Sequence, residues 1–246
     1  MEERKLALVE TEPIIEIIHL NKSFGTVQAL HNVNLKIPEG RIIGLLGANG
    51  SGKTTLLKIL AGFYADYEGE VLIDGCRPSA ESKAKIAYLP DRDGLPTDMK
   101  VKDMIKIYKT FFNDFEEEKC HMLLDRFDIR VDSTTEEMSK GVIEKLQISL
   151  LMARNARLYL LDEPIGGVDI EARQYILDLI LENFNPKGTM IITTHLIREI
   201  ERLFDSVIVL NKGEVVAFEE SDTLRAWQGS NLEEALKILF RQKKAP

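Results

Sequence analysis

Only two cysteines occur in the chain, Cys76 and Cys120, and they form neither a close pair nor a ligand set. His121, beside Cys120, cannot complete a metal site alone. A disulfide framework and a cysteine-based zinc site are thereby excluded, and a reduced, cytoplasmic setting is expected. Positive charge is also scarce. The 32 Lys and Arg residues stand against 40 Asp and Glu, a formal net charge of −8, so the chain lacks the basic footprint that nucleic acid or anionic lipid demands. No apolar run approaches the roughly 20 residues needed to span a bilayer. Met1 to Pro13 is a charged, polar leader without the apolar stretch of a secretion signal. Neither crossing a membrane nor export is expected, although docking on a membrane protein from the cytoplasmic side stays open.

What the chain does have is an ordinary globular composition, 44% hydrophobic and 29% charged in 246 residues, enough for one substantial core with at most a smaller attached lobe. Ile14 to Ile18 reads as a strand, followed by a loop with Phe24 and Gly25 and a second strand through Leu35 and Ile37. Arg41 to Leu46, nearly all apolar, has the pattern of a buried parallel strand and runs into a glycine cluster. A helix is expected over Thr54–Ala61, and further strands over residues 68–75 and 84–89. From Val101 to Ala153 the periodicity is helical. Strands return at Leu158–Leu161, Met190–Thr194 and Val207–Leu210, a hairpin turn is expected at Asn211-Lys212-Gly213, and two short helices close the chain. Such alternation predicts an α/β fold with a mainly parallel sheet and a helical lobe inserted at about 92–153.

Gly47-Ala48-Asn49-Gly50-Ser51-Gly52-Lys53-Thr54 matches the phosphate-loop pattern in full and lies between the expected buried strand and the helix. The chemistry needs these residue types. Glycines 47, 50 and 52 let backbone N–H groups turn inward on an anion, and the helix amino end adds partial positive charge. Lys53 reaches the β and γ phosphates of a nucleoside triphosphate, and Thr54 offers a hydroxyl to Mg²⁺. Asn49, Ser51 and Thr55 are counted with them as nucleotide-binding residues. A glycine-rich turn that only caps a helix is the plainer reading, and the flanking strand and helix weigh against it.

A second buried strand ends in two carboxylates, Asp162 and Glu163, followed by Pro164. Consecutive strand residues face opposite sides, so the two acids have different tasks. Asp162 suits Mg²⁺, and Glu163 would polarise the attacking water as general base. His195 ends another buried strand, Met190–Thr194, and would lie on the same carboxyl edge of the sheet, within reach of the γ phosphate and Glu163. Lys53, Glu163 and His195 are therefore the catalytic candidates, while His19, His31 and His121 are read as structural. Met138-Ser139-Lys140-Gly141-Val142 precedes an amphipathic helix expected from Ile143, with Ser139 as a candidate cap.

The order phosphate loop, Ser-x-Gly at a helix start, Asp-Glu-Pro, Val168-Asp169 and His195 resembles the ATP-binding cassette (ABC) ATPases across nearly the whole chain, residues 14–246. The resemblance implies a phosphate-loop NTPase core with an antiparallel β subdomain and an inserted helical subdomain. It also implies ATP with Mg²⁺ sandwiched between two head-to-tail cassettes, identical or paralogous. Ser139 and Gly141 would then meet the γ phosphate across the interface, and Asp169 would link the two sites. Phe24 falls where an aromatic stacks on adenine, or is simply a core aromatic. The family's signature departs here in Lys140 and Val142; Lys140 is either a solvated charge or an added positive charge near the phosphate. Asp91, in Tyr88-Leu89-Pro90-Asp91, stands where the family has Gln, either as a ligand to the metal or its water or as loop surface.

A separate transmembrane permease subunit is the implied partner, which would hold this chain on the inner face of the membrane. The cluster Ile105, Ile107, Tyr108, Phe111 and Phe112 offers either a contact face for it or core packing. The reading is of an ATPase that powers an exporter. An assembly-machinery ATPase with soluble partners and a nonhydrolytic ATP-binding regulator are the alternatives.

Overall fold

The computed structural model describes residues 13–91, 95–96, 98–167, 169–226 and 232–235. The leader expected at 1–13, apart from Pro13, falls outside the described residues, as do Val168, the residues at 92–94 where the helical lobe was expected to begin, and most of the closing helical region. Strands β1 (Ile15–Phe24) and β2 (Val27–Ile37) form a hairpin in which Ile15 pairs with Ile37 and Phe24 with Val27. Ile15, Ile17 and Leu20 on β1 and Leu30, Val33 and Leu35 on β2 turn inward. β4 (Glu68–Ile73) adds on the far side of β1, completing a three-stranded antiparallel sheet in the order β2-β1-β4. Phe24 is thus the last residue of a strand rather than part of a loop, because cross-strand pairing with Val27 runs to the tip of a tight turn at Gly25-Thr26.

The larger sheet holds β3 (Ile42–Leu46), β5 (Ile86–Leu89), β6 (Leu158–Asp162), β7 (Thr189–Thr193), β8 (Ser206–Asn211) and β9 (Glu214–Glu220). Its order is β5-β6-β7-β3-β8-β9. All neighbours are parallel except β8 and β9, which form a hairpin through Lys212-Gly213. Alternate residues face opposite sides. Leu45, Leu160, Ile191 and Ile208 pack with helix α1 (Lys53–Leu60) and the antiparallel sheet. Leu46, Leu161, Ile192 and Val209 pack with α5 (Lys140–Met152) and α6 (Ile170–Asn183). Each fully buried Leu or Ile contributes ~1.5–3 kcal/mol, which is why these strands read as unbroken apolar runs.

Register brings the functional strand ends together. Leu45 of β3 and Asp162 of β6 both pair with Thr193 of β7, so the phosphate loop, the acidic pair and His195 all leave the sheet on one edge.

Helices α3 (Val101–Phe111) and α4 (Glu117–Arg126) join α5 around a separate cluster that includes Val101, Met104, Ile105, Cys120 and Leu146. Burial there pushes the Cys120 thiol up to about 12, which keeps it un-ionised and inert. Arg154 ties this lobe to the sheet. Its guanidinium donates to the Asp114 carboxylate at 2.9 Å and to the main-chain oxygens of Ala84 and Ile86, and it lies 3.7 Å from the Phe112 ring centroid.

Two elements differ from expectation. A short helix, α2 (Ala80–Ala84), precedes β5; it is held by a capping box in which Ser79 and Ser82 satisfy each other's N–H groups. At five residues it is too short to show a helical period. Helix α5 begins at Lys140 rather than near Ile143, since the N–H groups of Val142 and Ile143 both bond to the Ser139 carbonyl. The chain ends, within the described residues, with α7 (Ile197–Ile200), α8 (Ser221–Ala226) and a helical turn at 232–235.

Candidate phosphate-binding site

Between β3 and α1 the backbone follows a course that only small residues permit. A Cβ at Gly47 would stand 2.2 Å from the Leu210 carbonyl oxygen, and one at Gly52 would stand 2.6 Å from that of Ala29. Gly52 also has φ 106° at the amino end of α1, where no side chain caps the helix. The first-turn N–H groups are left for a ligand. The loop is braced by its neighbours: Gly213 N–H donates to the Ser51 carbonyl at 2.9 Å, and His31 N–H to that of Gly213 at 2.8 Å. These bonds tie the loop to β2 and to the turn between β8 and β9. Asn49, Gly50 and Thr54 are exposed along its rim.

Lys53 folds back over the loop and donates to the carbonyls of Gly47 at 2.9 Å and Ala48 at 3.2 Å. Burial lowers its pKa, and the Glu163 and Asp162 carboxylates oppose that shift. The ammonium is thus held between the loop and the acidic pair, where a bound phosphate could replace its carbonyl partners.

Asp162, the last residue of β6, is 2% exposed. Its Oδ1 accepts from the Thr193 hydroxyl at 2.6 Å, while its Oδ2 is buried without a partner. A buried carboxylate oxygen lacking a donor suits a cation or a cation-bound water. Among the described residues no group of three or more His, Cys, Asp and Glu side chains could hold a metal. The oxygen donors on offer are few, the Asp162 carboxylate and, on the loop rim, the exposed Thr54 hydroxyl, which suits an ion such as Mg²⁺ that keeps several waters and takes phosphate oxygens.

Glu163 lies just past the strand with φ 53°, and its N–H donates to the carbonyl and hydroxyl oxygens of Thr193 at 3.2 and 3.0 Å. That left-handed turn swings its carboxylate away from Asp162. Glu163 Oε2 then accepts from His195 N–H at 3.2 Å and meets His195 Nδ1 at 2.9 Å. β7 stops at Thr193, so His195 sits two residues beyond the strand rather than at its end. Glu163, His195, Asn49 and Asp91 share the wall of a cleft of about 790 Å³ with Lys140 and Glu144.

Not every candidate is gathered there. Ser139 stands at the N-cap position of α5 with no side-chain capping bond, and open space surrounds Gly141. Neither lines the cleft, although Lys140 between them does and lies 3.7 Å from Glu144. Asp169 caps α6, accepting from Ala172 N–H at 2.9 Å, and borders a different hollow with Arg126, Lys145 and Tyr175. Phe24 is 43% exposed at the hairpin tip. One contributor has no sequence motif. Thr193 orients both acids at once, and its only signal is a hydroxyl residue in an apolar strand. Tyr88 packs within the sheet with its hydroxyl buried and unpartnered, and burial, with Asp162 adding to it, raises its pKa.

The family model described as "ABC transporter" matches residues 30–166. An ABC transporter ATP-binding protein of Methanocaldococcus jannaschii is 35% identical over 216 residues, 84% of this chain and 78% of that protein. The lantibiotic transport ATP-binding protein SrtF of Streptococcus pyogenes is 29% identical over 94% of this chain and all of its own length (100%). A solved structure of an ATP-binding subunit of an ABC transporter superposes with a TM-score of 0.84 at 25% identity, covering 92% of this chain and 99% of the other. No helix among the described residues is long and apolar enough to cross a membrane.

Proposed function

Because this chain belongs to the ABC transporter family as an ATP-binding subunit and ATPase, we propose that its cleft hydrolyses ATP with Glu163 as general base and couples the reaction to a separate permease. The observation that carries the proposal is the contact of Glu163 Oε2 with His195 at 2.9 Å, in a cleft shared with Asn49 of the phosphate loop. Loop amides and Lys53 bind the phosphates. Glu163 takes a proton from the attacking water, and His195 holds that carboxylate in place. Thr193 fixes both acids, leaving Asp162 Oδ2 for the metal's hydration shell. Mg²⁺, when bound with ATP, would neutralise phosphate charge, with Thr54 and Asp162 as its protein donors and Asp91 within the same cleft.

Residues 14–246 act in this reading as one cassette, with the helical lobe at about 92–153. Ser139 and Gly141, which do not line the cleft of their own chain, serve in this reading the nucleotide of a second cassette, identical or paralogous, and Asp169 lies at the junction. Phe24 stacks on the base.

The permease docks, in this reading, on the groove of about 250 Å³ between the helical lobe and the sheet, lined by Phe63, Tyr88, Tyr108, Phe112 and Arg154. Phe111, 70% exposed, and Ile107, 40% exposed, add apolar surface on α3, whereas Ile105 is buried in the lobe and takes no part. Such docking would place the chain on the cytoplasmic face of the membrane. Outward transport is the direction we propose; the likeness to SrtF, a lantibiotic transport protein, extends over that protein's full length. The test is Glu163→Gln: it should bind MgATP and release almost no phosphate, and unchanged phosphate release would sink the general-base assignment. Copurification with a membrane protein tests the permease.

A further inference from the structure

Beneath the exposed aromatic at the end of β1 lies a buried lysine. Lys22 is 5% exposed, and its Nζ stands 4.8 Å from the centroid of the Phe24 ring and 5.8 Å from that of Tyr64. Tyr64 packs T-shaped against Phe24 with centroids 5.3 Å apart. The ammonium donates to the Asp66 main-chain oxygen and, at 3.0 Å, to the Asp66 carboxylate, whose side chain is fully in water. A cation removed from solvent to this degree needs compensation that one hydrated carboxylate supplies only in part, and the two ring faces supply the rest. Lys22 thus lies over one face of the Phe24 ring, while Tyr64 meets that ring in an edge-type contact. Phe24 is 43% exposed, and with Lys22 over one face we assign the exposure to the other.

That open face is well placed for a base. Phe24 pairs with Val27 at the tip of the hairpin, and Ala29, two residues further along β2, has its carbonyl oxygen against Gly52 of the phosphate loop. Platform and loop are one step of the hairpin apart.

We propose that Lys22 is a specificity-determining residue that acts through Phe24: the ammonium draws electron density from one face of the ring, so that the other face stacks better on an electron-rich purine than on a pyrimidine. The inference rests on the reading above, in which the loop holds a triphosphate and Phe24 meets the base. Lys22 touches no nucleotide itself and is a positioning residue.

The experiment is calorimetric titration of the full chain with MgATP, MgCTP and magnesium tripolyphosphate, the last having phosphates and no base. Lys22→Gln removes the charge while keeping a donor for Asp66, and Lys22→Met serves as a second neutral variant should the first fold poorly. Both should bind ATP about threefold more weakly, at the low end of the cation–π range because Lys22 acts only through the ring. The ATP-to-CTP preference should narrow by the same factor with tripolyphosphate affinity unchanged, and Lys22→Arg should restore the preference. An unaltered ATP-to-CTP ratio in the neutral variants overturns the proposal, as does a parallel loss of tripolyphosphate binding, which would mark Lys22 as structural. If the parent chain binds neither ATP nor tripolyphosphate, the phosphate-loop reading falls and takes this inference with it.

Discussion

In the proposed reaction Lys53 binds phosphate and Glu163 takes a proton, so their substitutions should separate cleanly. Lys53→Ala removes an ammonium that the loop carbonyls and two carboxylates hold in place. A charge-assisted contact is worth about 1.5–3 kcal/mol, so MgATP affinity measured by equilibrium titration should fall roughly ten- to a hundredfold. Glu163→Gln keeps the shape of the side chain and its contact with His195 but cannot take a proton. Phosphate release should fall about 10²–10⁴-fold with MgATP affinity retained. Thr193→Val tests the residue that motifs do not reveal. Losing its hydroxyl leaves Asp162 Oδ1 buried and unpartnered, a cost of about 1–3 kcal/mol that thermal unfolding would register. The loop, the acids and His195 were legible because each residue type is dictated by phosphate or proton chemistry. Thr193 was not, since one hydroxyl in an apolar strand has many structural uses and its pairing with both Asp162 and Glu163 exists only once β6 and β7 are in register.

Among the elements, long apolar or periodic stretches declared themselves and short ones did not. β3, β6, β7 and β8 are buried on both faces and read as continuous apolar runs. α2 depends on a local exchange of hydrogen bonds between Ser79 and Ser82 rather than on any face it buries. The early start of α5 follows from hydrogen bonds to Ser139, which β-branched residues at 142 and 143 concealed. The loop between β3 and α1 is the element whose shape is most tightly enforced. Gly52→Ala would demand φ 106° of an L side chain and drive its Cβ into the Ala29 carbonyl. Strain of about 1–3 kcal/mol is expected, seen as a lower unfolding midpoint. Phosphate binding should weaken as well, because relieving the clash means moving the N–H groups of the first turn of α1.

At the scale of the whole molecule, the proposed shared nucleotide gives Ser139 and Gly141 a second chain to serve. Both stand at the amino end of a 13-residue helix, where partial positive charge accumulates and N–H groups lack helical partners. Yet neither lines the cleft that Asn49 and Glu163 share. A γ phosphate held by one loop and met by the α5 amino end of another chain would join two cassettes, and its loss on hydrolysis would part them. Glu163→Gln prolongs the joined state by slowing hydrolysis, so sedimentation with MgATP should show a two-chain species that is absent without nucleotide. Ser139→Arg, combined with it, should abolish that species. The Ser139 side chain is exposed and makes no capping bond, so its replacement leaves the fold and the unfolding midpoint essentially unchanged while placing a bulky side chain where the second triphosphate would sit. A double variant that still pairs with MgATP would remove Ser139 from the interface and with it the shared-nucleotide arrangement.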